Sequence, residues 1–203
     1  MLRIGLTGGI ASGKSTVTSM LRERGLPVLD ADELAHQLLE PGQDTYNEVL
    51  SEFGRGILDA GEKIDRAKLG SIVFADAAKR ARLNQITHPR IREITRQWFA
   101  SHDRSGGPPF AFEDAALIIE SGGVKNFDRV VVCWCRPEQQ LERLRLRGLS
   151  LEDAQRRIAA QMPLDEKRRL ADDTIDCSGS LDDTRRQVRE LLAKWQNLVP
   201  RQK

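Results

Sequence analysis

Short apolar runs alternate along the chain with stretches in which apolar residues recur at helical spacing. The apolar runs predict five strands, at residues 3–7, 26–30, 110–119, 129–135 and 173–177. Helical spacing is clearest at 17–21, 91–98 and 188–195, where we expect the apolar stripes to face the core. Strands separated by helices are typical of a parallel sheet covered on both faces. We therefore predict an α/β fold with a parallel five-stranded sheet.

A long segment separates the second predicted strand from the third. Residues 31–109 are mostly helical in pattern, and they close with a turn rich in Gly and Pro at 105–109. A connection of this length indicates an inserted subdomain and not a loop.

A phosphate-binding loop follows the first predicted strand. Residues 8–15, Gly-Gly-Ile-Ala-Ser-Gly-Lys-Ser, fit G-x-x-x-x-G-K-[ST] and open an amphipathic helix. The glycines let successive N–H groups point at phosphate oxygens, and the helix N-terminus adds its positive dipole end. Lys14 supplies a cation for the β- and γ-phosphates, and the Ser15 hydroxyl suits Mg²⁺. The placement between strand and helix disfavours a Gly-rich turn without function.

Two carboxylates close the second predicted strand. Ligands of open parallel sheets bind at the carboxyl ends of the strands, which places Asp30 and Asp32 beside the phosphate loop. A carboxylate there could accept the proton of a hydroxyl that attacks the γ-phosphate. Either residue could instead cap a helix, a role that suits Asp30 better than Asp32. His36 follows Asp32 by four residues, so a helix starting here places both on one face, although a lone exposed histidine is usually inert.

Composition narrows the class of protein. The 203 residues include 32 Lys and Arg against 30 Asp and Glu, a net charge of +2, which argues against a strongly basic nucleic-acid binder. No apolar run approaches the roughly 20 residues of a membrane span, and the N-terminus lacks a signal-peptide pattern. Three cysteines without metal-like spacing disfavour a disulfide scaffold or a zinc module. We expect a reduced, cytoplasmic protein in which Cys133 and Cys135 are inert core thiols.

With these motifs the chain resembles the dephospho-coenzyme A kinase family. The resemblance rests on residues 5–17 and on Asp30-Ala31-Asp32 after the second strand. Three later segments follow in the family's order: His-Pro at 88–89, Ile-Ile-Glu-Ser-Gly at 118–122, and an arginine-rich helix at 140–147. Many kinases share the phosphate loop alone, whereas the ordered set is specific and covers the chain from Met1 to about Cys177.

The resemblance implies an enzyme that transfers the γ-phosphate of ATP to the 3′-hydroxyl of dephospho-CoA, the last step of coenzyme A synthesis. It implies a P-loop kinase fold with a nucleotide-binding core at 1–34, 108–136 and 170–203, a helical CoA-binding insertion at 35–107, and a small lid at 137–169. We expect ATP and Mg²⁺ as cofactors, dephospho-CoA and ATP as partners, no nucleic acid, no membrane, and a monomer.

The resemblance also implies roles for individual residues. The expected catalytic residues are Lys14, Asp32 as the base, and Arg143. The expected nucleotide-binding residues are Gly8, Gly9, Ala11, Ser12, Gly13, Lys14, Ser15, Thr16 and Arg147, with Ser15 also a metal ligand. The expected substrate-binding residues are Asp32, His36, His88, Arg92 and Glu120.

Several of these residues have structural alternatives. Pro89 predicts that His88 stands near the start of a helix, where the histidine could be structural. Arg143 and Arg147 share one helix face, which could be solvated or could close over a transferring phosphate. Glu120, expected to end the third strand, could orient a Mg²⁺-bound water or a substrate group, or pair with a cation.

Two departures from the family pattern stand out. Ala11 replaces a usual Gly, which the loop accepts if φ is negative there. Cys177 replaces a usual Asn in a loop expected to flank the adenine.

Two other functions compete with the one that the resemblance implies. They are another small-molecule P-loop kinase and a P-loop switch of the GTPase type. The switch is disfavoured because no Asn-Lys-x-Asp segment occurs, and the helical insertion, which must fit a long pantetheine arm, favours dephospho-CoA over other small substrates.

Overall fold

Five parallel strands make up the sheet of this protein. The computed structural model describes residues 1–104 and 106–198. The strands are β1 (Leu2–Gly8), β2 (Val28–Asp30), β3 (Phe110–Asp114), β4 (Arg129–Trp134) and β5 (Asp173–Asp176). They pair in the order β2-β3-β1-β4-β5, and every pair is parallel. The predicted α/β fold with a parallel five-stranded sheet is confirmed.

Helices fill the connections between the strands. They are α1 (Lys14–Arg22), α2 (Ala31–Gln37), α3 (Asp44–Phe53), α4 (Arg66–Ala75), α5 (Ala77–His102), α6 (Pro137–Leu146), α7 (Leu151–Ala159), α8 (Leu164–Leu170) and α9 (Leu181–Gln196), with 3₁₀ turns at Arg55–Ile57 and Gly123–Asn126. Within the described ranges, none of these helices combines the length and the apolar character that crossing a membrane would need.

The chain divides into two compact units. The first contains Met1–Asp30 and the chain from Phe99 onward, and it holds the whole sheet. The second is Ala31–Trp98 and is helical. The assignment of residues 35–107 to coenzyme A binding and of 137–169 to a lid remains a prediction about function.

The sheet of the first unit is buried because its strands carry apolar side chains toward helices. Trp195 of α9 is 1% exposed and packs edge-on against Phe110 of β3, with ring centroids 6.1 Å apart. Its Nε1 donates to Asp173 at 2.9 Å, which satisfies the polar atom of a buried indole. The apolar stripe of α1, Val17, Met20 and Leu21, joins the same core, as its spacing predicts.

The second unit has a core of its own. Its buried side chains come from α3, α4 and the segment between them: Tyr46, Val49, Ile57, Leu58, Ile64, Leu69 and Val73. Asp65 caps α4 by accepting from the N–H groups of Ala67 and Lys68. A separate core is consistent with an inserted subdomain.

The third strand ends earlier than the apolar pattern predicts. β3 stops at Asp114, and the prediction of a strand to 119 is wrong. Ala115 N still donates to Leu6 O at 3.1 Å, and the chain turns after it. The next carbonyl along, that of Ala116, accepts from side chains, the Thr7 hydroxyl at 3.0 Å and Lys167 Nζ at 2.8 Å. Glu120 therefore does not end the strand.

Pro89 lies inside α5 and not at its start. The prediction that His88 stands near the beginning of a helix is therefore wrong. A proline within a helix removes one backbone hydrogen bond, but packing on both sides of Pro89 favours continuation. Ile86 packs on the core of the second unit, and Thr95 is 8% exposed.

Candidate active site

The loop from Gly9 to Gly13 joins β1 to α1 through a tight turn. Ser12 N donates to Gly9 O at 3.1 Å, and Val17 N donates to Gly13 O at 3.2 Å where the helix begins. Gly13 is the N-cap residue, and no side chain caps the helix. The first N–H groups of α1 are therefore left for an anion, as the motif predicts.

Two glycines of the loop are required by close contacts. Gly13 has φ 103°, and a Cβ there would lie 2.8 Å from the Cβ of Cys177. A Cβ on Gly8 would lie 2.5 Å from the Ser12 hydroxyl and 2.9 Å from the carbonyl oxygen of Cys133. Any side chain at either position would push the loop away from β4 or from the segment after β5.

Ala11 occupies the left-handed region with φ 59°. Alanine replaces glycine without strain only where φ is negative, so Ala11 is strained here. Packing compensates, since Ala11 is buried in a cluster with Leu144 of α6 and Ala154 of α7. Its carbonyl also accepts from Arg143 Nη1 at 3.1 Å.

A cleft of about 270 Å³ opens beside the end of the loop. The loop and α1 contribute Ala11, Gly13, Ser15 and Thr16; α6 and the residue after it contribute Arg143 and Arg147; the segment after β5 and α9 contribute Cys177, Gly179, Leu181 and Thr184. The structure thus brings five of the predicted nucleotide-binding residues and the predicted catalytic residue Arg143 to one cavity, where two arginines line the same wall as the N-terminus of a helix.

The side chains of α6 and of the segment after α7 hold the loop at its backbone. Arg143 Nη2 donates to Cys177 O at 2.7 Å, in addition to its bond with Ala11. Gln140 Nε2 donates to Ile10 O at 2.7 Å, and Ile10 N donates to Gln161 Oε1 at 2.7 Å. Arg143 is therefore a fixed part of the cleft and not part of a solvated face.

Lys14 forms an ion pair with Asp114 at the carboxyl end of β3. The carboxylate also accepts from the Thr18 hydroxyl at 2.5 Å and is 3% exposed. Sequence reasoning missed Asp114, although it is the carboxylate that follows the apolar run Phe110–Phe112. It takes the place at the end of the third strand that was expected for Glu120.

Glu120 pairs with a lysine that the sequence did not single out. Lys167 of α8 is 0% exposed, and its Nζ lies 2.7 Å from Glu120 Oε1. The same ammonium donates to Gly8 O at 3.0 Å and to Ala116 O at 2.8 Å. Of the alternatives for Glu120, the contact observed is the pair with a cation.

The remaining predicted substrate residues belong to the second unit. Asp32 lies in the first turn of α2 and His36 in its last turn. His36 Nδ1 is 3.8 Å from Glu33 Oε2. His88 and Arg92 are one turn apart in α5. Burial, and then the charge of Arg92, lower the pKa of His88, so its neutral form is favoured.

Glu113 is a half-buried carboxyl next to Asp114. Burial alone raises its pKa to about 7. Successive residues of a strand point to opposite faces, so Glu113 does not share the face of Asp114, Lys14 and Thr18.

Comparisons with known proteins show what this chain is similar to. A profile of the dephospho-CoA kinase family matches residues 2–183. The dephospho-CoA kinase of Geobacillus kaustophilus is 46% identical over 198 residues, which is 97% of this chain and 98% of that protein. Two solved structures superimpose on it. One, from Thermus thermophilus, has a TM-score of 0.81 and 32% identity and covers 95% of this chain and 97% of that one. The other, the dephospho-CoA kinase from Campylobacter jejuni, has a TM-score of 0.70 and 30% identity and covers 96% and 97%.

Proposed function

The chain belongs to the dephospho-CoA kinase family, a family of ATP-dependent kinases that phosphorylate dephospho-CoA in coenzyme A synthesis, and from this premise we propose how its residues share the work. The observation that carries the proposal is the cleft, which an uncapped helix N-terminus lines together with Arg143 and Arg147. Such a site suits a polyanion with an attached planar base.

The triphosphate of ATP binds along the loop and the first turn of α1. Backbone N–H groups there meet its oxygens, and Ser15 and Thr16 add hydroxyls from the cleft wall. Arg143 and Arg147 neutralise charge that spreads over the γ-phosphoryl oxygens during transfer. Because Arg143 is already held by two carbonyls, little reorganisation is needed when the charge develops.

Lys14 gains a second partner when the triphosphate arrives. In the structure its ammonium is held by Asp114, while the Thr18 hydroxyl supports the same carboxylate. An ammonium has three donors, so Lys14 can keep Asp114 as an orienting partner and still reach a β- or γ-phosphate oxygen. Asp114 then positions the lysine.

Magnesium fits the residues at this end of the sheet. Mg²⁺ is usually bound through one or two protein oxygens together with substrate phosphates. Among the described residues no cluster of three or more His, Cys, Asp or Glu forms a dedicated metal cage, whereas Ser15 offers a hydroxyl in the cleft. We propose Ser15 as the protein ligand. When bound, the ion neutralises charge on the β- and γ-phosphates.

The acceptor hydroxyl is activated by Asp32, and the helical unit holds dephospho-CoA. A secondary hydroxyl is a poor nucleophile until its proton has an acceptor, and Asp32 stands in the first turn of a helix that directly follows β2. His36, His88 and Arg92 belong to the same unit. Because the neutral form of His88 is favoured, it serves as a hydrogen-bonding group and not as a phosphate-binding cation.

The wider predictions follow from the same assignment. We propose that residues 137–169 act as a lid, that the enzyme works as a monomer without membrane or nucleic acid, and that it acts in the cytoplasm, where ATP is available and free thiols persist. The three cysteines of the structure are unpaired with one another by disulfides.

Asp32→Asn tests the assignment of the base. The variant keeps the size of the side chain and removes its basicity, so kcat should fall about 10²–10⁴-fold while the affinity for a non-hydrolysable ATP analogue stays the same. Asp30→Asn, two residues away at the end of β2, is the matched control and should lose much less. Near-normal turnover of Asp32→Asn would exclude it as the base, and a collapse of nucleotide affinity would make it part of the metal site.

The acceptor can be tested separately. ADP release is measured with ATP and a panel of alcohols that includes dephospho-CoA, nucleosides and shikimate-like small alcohols. Of the alcohols in the panel, we expect only dephospho-CoA to give ADP release that saturates with its concentration. We expect substitutions at His36, His88 or Arg92 to raise KM for dephospho-CoA more than KM for ATP.

A further inference from the structure

All three cysteines contact the phosphate loop or its immediate neighbours. The carbonyl of Cys133 lies 2.9 Å from where a Gly8 Cβ would stand. The Cys135 thiol donates to Ala11 O at 3.9 Å. The Cys177 sulfur lies 3.0 Å from where a Gly13 Cβ would stand. The three cysteines therefore lie at three points around the loop, on the ends of two adjacent strands.

Only one of these thiols belongs to the wall of the cleft. Cys177 lines it together with Gly13, Arg143 and Thr184, whereas the residues that line the cleft include neither Cys133 nor Cys135. Both of those side chains are 0% exposed, and Cys177 is 5% exposed. Cys177 is therefore the cysteine that a small reagent meets in the cleft; its thiol is held by Ile175 O at 3.7 Å.

The surroundings of Cys177 favour its thiolate. Hydrogen bonding with the Cys133 thiol and the positive charge of Arg143 lower the pKa of Cys177 against the opposing effect of burial. Burial raises the pKa of Cys133, and it raises the pKa of Cys135 to about 11. The thiolate is the nucleophilic form of cysteine, so the cysteine that lines the cleft is also the one whose nucleophilic form is favoured.

We propose that Cys177 is a covalent modification site inside the nucleotide cleft, for small disulfides and other sulfur electrophiles, and that its modified form excludes ATP. The Cys177 thiolate attacks one sulfur of the reagent and forms a new S–S bond, while the S–S bond within the reagent breaks. The other half of the reagent leaves with the electron pair, as a thiolate from a disulfide or as a sulfinate from a thiosulfonate. The added group occupies the space beside Gly13, where the first N–H groups of α1 meet phosphate.

The inference deepens the proposed function, since it rests on ATP occupying this cleft. It is particular to this chain, because the sequence has cysteine where the resemblance leads one to expect asparagine. An asparagine at 177 offers no nucleophilic sulfur, so the same cleft would be indifferent to disulfides.

The test treats the folded enzyme with methyl methanethiosulfonate, and in parallel with 4,4′-dithiodipyridine, and locates the adducts by peptide mass spectrometry. We expect Cys177 to react at least 10-fold faster than Cys133 or Cys135, affinity for a non-hydrolysable ATP analogue to fall with the modified fraction, and dithiothreitol to restore it. Cys177→Asn should lose this sensitivity to the reagents, while Cys135→Ala should retain it.

The outcomes separate this inference from the proposed function. Faster labelling of Cys133 or Cys135, or no labelling of Cys177 in a protein that binds ATP normally, overturns the inference alone. So does a fully modified protein with unchanged nucleotide affinity. If Cys177 reacts rapidly but a saturating ATP analogue, bound as judged by calorimetry, does not slow the reaction, the nucleotide lies elsewhere and the assignment of the cleft fails with it.

Discussion

Two lysines, one in the phosphate loop and one that donates to it, differ in the partners of their ammonium groups. The Lys14 side chain is 18% exposed and is paired with the carboxylate of Asp114. The Lys167 side chain is 0% exposed and has three oxygen partners, Glu120, Gly8 O and Ala116 O. Three acceptors saturate the three donors of an ammonium. Lys14 can therefore receive a ligand, whereas Lys167 can only hold the structure.

Removing Lys167 should cause the largest loss of stability. Lys167→Met keeps the length of the side chain but leaves Glu120 and two carbonyls without their cation, and breaking such a buried pair costs about 3–5 kcal/mol. The free energy of unfolding in urea at pH 7 measures it. Arg169→Met, an exposed position on the same helix, is the control and should change stability by less than about 0.5 kcal/mol.

The double variant Lys167→Met with Glu120→Gln sharpens this result. It removes both charges together, so we expect it to be more stable than Lys167→Met alone. A double variant as unstable as the sum of the two singles would show that the two side chains act independently.

Removing Lys14 should instead remove turnover. Lys14→Ala is expected to lower kcat about 10²–10³-fold, because the cation that neutralises the transferring phosphate is lost. Its cost in stability should be smaller than that of Lys167→Met, since water can reach the site. Lys14→Arg should also fail, because a forked guanidinium does not replace a compact ammonium. A Lys14→Ala enzyme with normal kcat would contradict the division of roles between the two lysines.

Glu113 shows what the partial burial of a carboxylate costs. The unfolded carboxyl titrates near 4.5 and the folded one near 7. Between these values the unfolded chain loses a proton that the folded protein keeps, so stability falls as pH rises from about 4.5 to 7 and then levels off. Glu113→Gln should be more stable than the parent above pH 7 by about 2–3 kcal/mol.

The advantage of Glu113→Gln should disappear near pH 4.5, where the carboxyl is neutral in both states. Urea unfolding at a series of pH values checks this, with Glu142→Gln on the exposed face of α6 as the control. An advantage that does not depend on pH would mean that packing, and not charge, is responsible.

The smallest expected change in stability is that of Ala11→Gly in the phosphate loop. Ala11→Gly relieves a left-handed alanine, worth about 1–2 kcal/mol, but it adds backbone entropy to the unfolded chain and removes a packed methyl group. We expect a net gain of less than about 1 kcal/mol in thermal unfolding. Ala154→Gly, in the interior of α7, should instead lose about 0.5–1 kcal/mol, and a similar loss at Ala11 would argue against strain there.

The sequence predicts the part of the site that is contiguous along the chain and misses the contacts between residues that are far apart in sequence. The phosphate loop is contiguous, so its residue types and spacing identify it. Asp114 is 100 residues from Lys14, and Lys167 is 159 residues from Gly8. Such pairings depend on strand order, which spacing does not encode. Residue type alone does not distinguish a buried lysine from an exposed one, and Lys167 stands among the charged residues of α8.

The two errors in the fold have the same origin. Residues 115–119 are apolar and contain no turn residue, so the pattern could not show that backbone hydrogen bonding with β1 ends at Ala115. The proline rule predicted a helix boundary at 89, yet contacts made by residues before and after it outweigh one lost backbone bond. In both cases tertiary contacts overrule a local preference.

The grip of three side chains on the loop sets the direction of its peptide planes. Lys167, Gln140 and Arg143 hold, in turn, the carbonyls of Gly8, Ile10 and Ala11. In a trans peptide the C=O and the following N–H are rigidly opposed. A side chain that holds a carbonyl oxygen on one side therefore turns the next amide hydrogen to the other side. The side chains behind the loop thus fix the orientation of its peptide planes, so its N–H groups are already aligned before any nucleotide arrives.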